Sequence, residues 1–338
     1  MSGAKGITIR DVARRSGVSI AAVSQALNGK GALSAATRER IKVVADEMDY
    51  QADALARGLK TSSMGVVGLV VRSLDVLGDY NPRGVDVFTR IAGAVAAEAL
   101  ERGMGLMLVP DLSRKPVPPM AFSLDGYIVM NPHINDPVVE LLERREIPYV
   151  CLGRDVGRPE FVRWVSQDDR KATVSVLDGF MRTGTSSVVF VGGTDRNAWN
   201  LDSEDAYRQW AVKHGVEQRT YRVAEREGSE GGRKVASKII AEGVPDAVFC
   251  LTGRHASGVL EEFQAHGLSV PGDVIIAAGS DSEQARNSLP AISAIEMVPG
   301  PVAAGLVEML QLILQGQEPV GPHFLDTCYR PRASTLGR

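Results

Sequence analysis

The segment from Ile7 to Lys60 constrains the fold of this 338-residue chain more than any other. Thr8 can cap a first helix, and Asp11 stands three residues later, where a capping box places its acidic partner. Gly17 then allows a sharp turn, and Ser19 can cap a second helix. The pattern therefore predicts two short helices joined by a tight turn.

The second predicted helix has a buried and an exposed side. Val23 and Leu27 repeat at a spacing of four residues, which places both against a core. A third helix beginning near Ser34 contributes the apolar stripe Ile41, Val44, Ala45 and Met48. The residues left pointing outward on the second helix are Ile20, Ala21, Ser24 and Gln25. A trihelical unit of this kind presents its second helix in the geometry that enters the major groove of DNA.

Charge is divided unevenly along the chain. Residues 1–62 hold ten Lys and Arg against six Asp and Glu, a net of +4, whereas residues 63–338 hold 28 against 35, a net of −7. A basic head on an acidic body is typical of a protein that meets phosphate with one end only. A net of +4 is also unexceptional by itself, so charge alone does not decide the function.

Length and cysteine content set broad limits. The length favours two domains with sizeable cores. Cys151, Cys250 and Cys328 are far apart, and we interpret them as free thiols, the first two buried. The N-terminus has no apolar signal region, and no apolar run approaches the ~18 residues of a membrane span. We therefore expect a cytoplasmic protein with no membrane contact, no metal and no cofactor.

After Met64 apolar runs alternate with helical segments. The predicted strands are 65–71, 104–109, 126–130, 148–152, 162–166, 187–193, 247–251 and 274–279. The predicted helices are 86–102, 137–145, 169–182, 202–213, 230–241 and 254–265. This alternation predicts two doubly wound parallel sheets, with ligands expected beyond the carboxyl ends of the strands.

The N-terminal segment resembles the lactose-repressor (LacI) family of transcription regulators. The matching residues keep the family's order and spacing: Ile7–Ala13, Gly17–Ser19, Val23–Ser24, Leu27–Gly29, Thr37–Arg40 and Ala54–Arg57. The rest of the chain is more loosely similar, through Val67–Val71, Phe190–Gly193, Gly279 with Asp281, and Ser334–Thr335. The resemblance implies an all-α helix-turn-helix head with a hinge helix, followed by a bilobed α/β core like that of periplasmic binding proteins.

The resemblance also implies a division of the chain. We expect a DNA-binding head at 1–50, a hinge at 51–62 and an effector-binding and dimerisation core at 63–338. The first lobe would comprise 63–158 and 292–320, and the second lobe 159–291 and 321–335. The chain would cross between lobes three times, and a helix near 301–315 would return to the first lobe.

Gln25 is the leading candidate for reading a base, because glutamine can bond bidentately to adenine in the major groove. The alternative is an ordinary solvated helix residue. Ile20 and Ala21 could touch thymine methyl groups, although Ile20 could instead belong to the core. The short polar residues suited to phosphate oxygens are Thr8, Ser19, Ser24 and Asn28.

The hinge, Asp53–Lys60, is shorter than the ~12–15 residues that an isolated helix needs in water. Gly58 weakens it by roughly a further 1 kcal/mol relative to alanine. We expect it to fold on contact with DNA. The resemblance adds Ala56 to the DNA contacts, places Leu59 at the family's minor-groove wedge, and makes Lys60 a minor-groove or phosphate contact. The alternative for Leu59 is an ordinary apolar linker residue.

The expected effector residues follow strand ends. Asp281 follows the strand 274–279 and matches the aspartate that binds effector in the family, and Asp168 follows 162–166 in the same way. Phe88 could line the cleft or belong to the core. Trp199, expected in a loop, could stack on a ligand ring or be a plain surface residue.

Two further cleft positions depart from the family pattern. Ser203 stands where an effector-binding arginine is usual, and Thr252 with Gly253 replaces the common Asn-Asp pair. An unusual sugar, a different small molecule and no ligand all remain open.

Other function classes fit less well. The sequence has no Gly-rich phosphate loop, no serine nucleophile elbow and no His-paired nucleophile, so we do not expect an enzyme. An extracytoplasmic solute-binding protein shares the bilobed core, but it would need an export signal and would not carry a basic head. We expect a homodimeric repressor that binds a pseudo-palindromic operator in double-stranded DNA and is gated by a small-molecule effector.

Overall fold

The computed structural model describes residues 7–27, 31–50, 63–72, 87–319 and 321–336. It divides into two compact units, Met1–Met64 and Gly65–Arg338. The segment 51–62 with Ala56, Leu59 and Lys60, and the expected phosphate contact Asn28, lie outside the described residues.

The first unit contains the predicted helices α1 (Ile9–Ser16), α2 (Ile20–Leu27) and α3 (Ala35–Glu47). The Asp11 carboxylate accepts hydrogen bonds from the backbone N–H of Thr8 at 3.0 Å and from its hydroxyl at 2.6 Å, which fixes the start of α1. Gly17 ends α1 in the left-handed conformation, at φ 66°. The backbone N–H of Ala22 donates to the Ser19 hydroxyl at 3.2 Å and so caps α2.

A small core holds the three helices together. Its buried members are Val12, Ala13, Val23, Ala26, Ile41 and Ala45. Val23 is fully buried, as predicted, whereas Leu27 is only half-buried and Ala26 fills the interior position on that side. All of these residues come from the first unit, so its packing is self-contained.

The second unit is an α/β structure with two sheets. Its strands are β1 (Val66–Val71), β2 (Gly105–Pro110), β3 (Gly126–Met130), β4 (Tyr149–Leu152), β5 (Trp164–Gln167), β6 (Val188–Gly192), β7 (Arg219–Arg222), β8 (Ala247–Cys250), β9 (Ile275–Ala278), β10 (Ser293–Glu296), β11 (His323–Leu325) and β12 (Cys328–Arg330). Its helices are α4 (Val87–Glu101), α5 (Pro137–Arg144), α6 (Asp169–Met181), α7 (Ala198–His214), α8 (Gly228–Glu242), α9 (Gly253–Ala265), α10 (Glu283–Asn287) and α11 (Pro299–Leu314), with 3-10 turns at Pro119–Phe122 and Glu225–Glu227.

The first sheet has the order β11-β5-β4-β3-β1-β2 and the second has the order β12-β10-β9-β8-β6-β7. The described pairings are parallel, except that β12 runs antiparallel to β10. Helices cover both faces of each sheet, and the central strands β3, β8 and β9 are buried along their whole length. The predicted fold of two doubly wound sheets is confirmed.

The expected lobe boundaries at 158/159 and 291/292 are wrong, because β5 belongs to the first sheet and β10 to the second. Trp164 and Val165 of β5 pack into the cores on the two faces of the first sheet. The chain reaches β5 from β4 through a loop rather than a helix. The predicted alternation of strands and helices therefore assigned β5 to the second lobe instead of the first. The assignment of 321–335 to the second lobe is also wrong in part, since β11 pairs with β5.

The chain crosses between lobes after β5, after β10 and after β11, which makes three crossings. Helix α11 packs against α4 in the first lobe, through side chains that include Val95 and Leu306. Within the described ranges, no helix combines the length and apolar character needed to cross a membrane.

Helices α8 and α9 pack backbone to backbone. A Cβ at Gly258 would collide with the Ser229 carbonyl oxygen and lie 2.8 Å from its carbonyl carbon. A Cβ at Gly232 would collide in the same way with the His255 carbonyl oxygen. This close approach fixes the position of α9, whose first turn faces the space between the lobes.

Candidate DNA-binding surface and ligand cleft

The outward face of α2 carries the residues expected to read bases. Ala21 and Gln25 are exposed, and Ser24 is half-buried. Ile20 is 45% exposed, so it lies on the surface of the head and not in its core. The face therefore offers apolar bulk beside one long amide side chain, which is suited to contacts with thymine methyl groups and adenine.

The Gln25 side chain lies against the backbone of Gly31, at the turn that leads into α3. A Cβ on Gly31 would come within 2.6 Å of both Cδ and Oε1 of Gln25. Gly31 also has a φ of 86°, a conformation that favours glycine. The Arg38 guanidinium donates to the Gly31 carbonyl at 3.3 Å, which ties this turn to α3. Gly31 thus supports the amide that we expect to meet the base.

Thr8 and Ser19 both act as helix caps. The hydrogen bonds from Thr8 lower the pKa of Asp11, and Arg14 pairs with the same carboxylate at 3.4 Å. Because the Thr8 hydroxyl and N–H both donate to Asp11, a phosphate contact would have to displace one of these bonds. Ser19 accepts from Ala22, so its hydroxyl proton is still available to a phosphate oxygen.

A cavity of about 210 Å³ lies between the two lobes of the second unit. Its walls come from the carboxyl ends of strands in both sheets, where doubly wound folds bind ligands. The first lobe contributes Val70, Arg72, Phe88, Ile91, Met130, Asn131 and His133. The second lobe contributes Asp195, Trp199, Glu225, Thr252, Arg254 and Asp281. Both lobes thus contribute apolar and polar side chains to the cavity.

Four of the six residues expected at the ligand site line this cavity: Asp281, Phe88, Trp199 and Thr252. Trp199 lies in the first turn of α7 rather than in a loop, because Asn197 caps that helix by accepting from the Asn200 N–H at 3.0 Å. Thr252 caps α9 by accepting from the His255 N–H at 3.1 Å.

The other two expected residues do not line the cavity. Asp168 is exposed and accepts from the Lys171 N–H at 2.9 Å, so its carboxylate caps α6. Ser203 is 1% exposed within α7, and its short side chain does not reach the cavity. For these two residues the expected cleft position is wrong.

Asp281 is 2% exposed and lies among three arginines. Its Oδ1 is 2.8 Å from Nη1 of Arg332, and its Oδ2 is 3.7 Å from Nη1 of Arg286. Its backbone carbonyl accepts from Arg90 of the first lobe at 3.4 Å. The carboxylate is therefore charge-compensated within the protein, and a neutral hydroxyl is a suitable partner for its remaining lone pairs.

The cavity also has charged residues that the sequence did not single out. Arg72 donates to the Met130 carbonyl at 3.1 Å and pairs with buried Asp136. Burial raises the pKa of Asp136, but the charge of Arg72 and the hydrogen bonds from Arg72, His133 and Val138 outweigh it, and the pKa is lowered. Arg254 brings a second guanidinium, which donates to the Glu225 carbonyl at 3.1 Å.

Gln167 and Asp169, on either side of the misassigned Asp168, line the cavity as well. Nε2 of Gln167 donates to Oδ1 of Asp169 at 2.8 Å. Burial, reinforced by the negative charges of Asp202 and Asp168, raises the pKa of Asp169 to about 7. The residue predicted after this strand was Asp168, but the next carboxyl group, that of Asp169, is the one that lines the cavity.

Several contacts join the lobes around the cavity. The Ile134 N–H donates to the Arg196 carbonyl at 2.9 Å, and Nε2 of His133 lies 3.6 Å from Oδ2 of Asp195. The interaction with His133 lowers the pKa of Asp195. Arg154 of the first lobe holds Asp202 of the second, with nitrogen–oxygen distances of 2.7 and 3.1 Å. The described arrangement is thus one with the lobes in contact.

Comparisons with known proteins agree with both units. Residues 8–53 match the family of bacterial regulatory proteins, lacI family, and residues 177–335 match the periplasmic binding protein-like domain. Catabolite control protein A of Staphylococcus xylosus is 24% identical over 293 residues, covering 86% of this chain and 87% of that protein. The HTH-type transcriptional regulator MalR of Streptococcus pneumoniae is 25% identical over 275 residues, covering 78% and 82%.

Solved structures share the fold of both units. A lac repressor dimer bound to operator and an anti-inducer has a TM-score of 0.82 at 19% identity, covering 98% of this chain and 100% of that one. A complex of the regulator CelR with cellobiose has a TM-score of 0.70 at 22% identity, covering 97% and 99%. The fold, the helix-turn-helix head and the family match define a DNA-binding transcription regulator with a periplasmic-binding-protein-like core. Residues 8–53 are therefore a LacI-family DNA-binding domain, and residues 177–335 match a periplasmic binding protein-like domain.

Proposed function

We propose that this protein is a cytoplasmic homodimeric repressor that reads a pseudo-palindromic operator with α2 and is gated by a small molecule bound between its lobes. The observation that carries the proposal is the conjunction of two features in one chain. The exposed face of α2 is built for a major groove, and the cavity draws its walls from strand ends of both sheets. The relatives named above are regulators, and we infer that this chain, like them, has no catalytic role.

The proposed ligand is a small molecule with an apolar face and several hydroxyl or amino groups, of which a sugar is the first class to test. Phe88, Trp199 and Met130 offer apolar surface on which a ring can pack. Asp281 and Thr252 of the second lobe offer oxygen acceptors. The CelR structure holds cellobiose in the same fold, which supports the choice of class.

A ligand that touches both lobes stabilises the arrangement in which they are in contact. Its binding energy therefore shifts the population between lobe arrangements, and any DNA-binding difference between them becomes ligand-dependent. A dimer aligns two heads with two half-sites, which is how operator symmetry mirrors protein symmetry.

The DNA half of the proposal is tested by selecting binding sites from a random duplex library with the full-length protein. We expect a two-fold symmetric consensus. Gln25→Ala should relax the preference at one base pair in each half-site, because it removes a bidentate contact worth about 1–3 kcal/mol. The matched control is Gln218→Ala, which removes an exposed glutamine on the surface of the second unit and should leave the consensus unchanged. A wild-type selection that yields no consensus would contradict the proposal.

A further inference from the structure

Gln167 and Asp169 lie at the first crossing between the lobes. Gln167 is the last residue of β5 in the first sheet, and Asp169 opens α6, which packs on the second sheet. Both side chains line the cavity, and the two residues are 6% and 8% exposed. A group bound to both would touch both lobes where the chain passes from one to the other.

The hydrogen bonds of this pair leave one buried acceptor without a partner. The Gln167 amide nitrogen donates to Oδ1 of Asp169 at 2.8 Å. The direction of that bond turns the amide oxygen, Oε1, away from Asp169, and this buried oxygen has no hydrogen-bond partner within the protein. A buried acceptor without a donor is destabilising, so a protein that keeps one beside a cavity gains when a ligand supplies the donor.

We propose that Oε1 of Gln167 and the carboxyl group of Asp169 form a subsite that receives a hydrogen-bond-donating hydroxyl or amino group of the ligand and thereby links the two lobes. The inference rests on the proposed ligand cleft and assigns to it a specificity-determining pair. A group that can only accept hydrogen bonds, such as a carboxylate, ether or phosphate oxygen, leaves Oε1 unsatisfied and is rejected.

The surroundings of the pair favour a small donor. Asp202, which lies near Asp169, is paired with Arg154 at 2.7 Å and with Arg170 at 3.3 Å, so its negative charge is largely offset. Ser166, the nearest wall residue of the same strand, is polar but small. The selection for a donor therefore rests on the unsatisfied Oε1 of Gln167 and not on net charge.

The test uses the full-length protein and four compounds, the neutral disaccharides maltose and cellobiose and the amino sugars glucosamine and galactosamine. Thermal shift and calorimetry are measured for wild type, Gln167→Met and Asp169→Asn. Methionine keeps the length of the glutamine side chain but removes Oε1. The control is Asp168→Asn, which alters the neighbouring carboxylate that caps α6 and does not line the cavity.

We expect at least one compound to bind the wild type, Gln167→Met to weaken it tenfold or more, and Asp169→Asn to weaken it as well. Asp168→Asn should bind as the wild type does. The melting temperature of ligand-free Gln167→Met should change little, because the removal of an unsatisfied buried acceptor offsets the loss of the hydrogen bond that Nε2 donates to Asp169. A purely structural role for Gln167 would instead lower that melting temperature and leave affinity unchanged, which would overturn the proposal.

The two groups of compounds separate a hydroxyl from an amino donor. A compound that binds wild type and Gln167→Met equally contradicts the subsite but leaves the ligand cleft intact. If none of the four binds the wild type, the donor subsite is contradicted for both chemistries, and the proposed sugar-gated cleft fails with it. If Gln167→Met does not fold, Asp169→Asn decides the question through the same affinity comparison.

Discussion

Replacing Gly258 with alanine tests whether the close packing of α8 on α9 sets the wall of the cleft. The added Cβ would collide with the Ser229 carbonyl oxygen, lie 2.8 Å from the carbonyl carbon and lie 3.0 Å from the Arg233 backbone nitrogen. The helices must therefore move apart by about 1 Å. Thr252 and Arg254, in the first turn of α9, would move with them.

The magnitude follows from two opposing effects. Alanine is favoured over glycine inside a helix by about 1 kcal/mol. Overpacking a close contact costs typically about 1–3 kcal/mol, and a clash with backbone on both sides lies at the upper end. We expect Gly258→Ala to destabilise the core by about 1–2 kcal/mol net. For a domain of this size that lowers the melting temperature by roughly 2–8 °C.

The assay is scanning calorimetry of the full-length variant beside Gly93→Ala as the control. Gly93 lies in the interior of α4, and a Cβ there meets nothing within 4 Å. The control should therefore gain up to about 1 kcal/mol from helix propensity alone. A Gly258→Ala protein that melts at or above the wild-type temperature would refute the packing argument.

Two further predictions concern the cleft and the head. The pKa of Asp169 is about 7 when folded against 3.8 ordinarily, so the folded state holds the proton more tightly and ionisation costs stability as pH rises from about 4 to 7. In urea denaturation, the free energy of unfolding of Asp169→Asn should rise relative to that of the wild type by up to about 3 kcal/mol from pH 5 to pH 8. A difference between the two proteins that does not change with pH would contradict the burial of this carboxyl group. Ile41→Ala should destabilise the first unit by about 2–5 kcal/mol and abolish operator binding. The melting transition of the second unit should stay unchanged. Loss of both transitions would contradict a hydrophobic core that is confined to the first unit.

The sheets could be predicted because their central strands are buried on both faces. β1, β3, β8 and β9 are nearly continuous apolar runs, and each was predicted within two residues of its bounds. Of the edge strands, only β2 has a comparable apolar run. β7 has the sequence RTYR, and β11 and β12 have three residues each, so their pairing depends on neighbours distant in sequence.

The candidate site could be predicted only where a residue follows a strand directly. Asp281 and Thr252 lie at the strand ends where the sequence placed them. After β5 the sequence predicts a ligand-binding carboxylate at nearly the right place. Whether Asp168 or Asp169 caps α6, and which of them lines the cavity, depends on where the helix starts. Arg254 lies in the first turn of α9, and the direction of its side chain depends on the close packing of α8 and α9.

The central claim is that ligand in the cleft changes the affinity of the head for its operator. The most direct measurement is the dissociation constant for the selected operator, determined at fixed salt with and without a saturating concentration of a compound shown by calorimetry to bind the core. Coupling between the two sites predicts a change of about 5–150-fold, in either direction. An operator affinity that stays the same while the cleft is saturated would contradict the account.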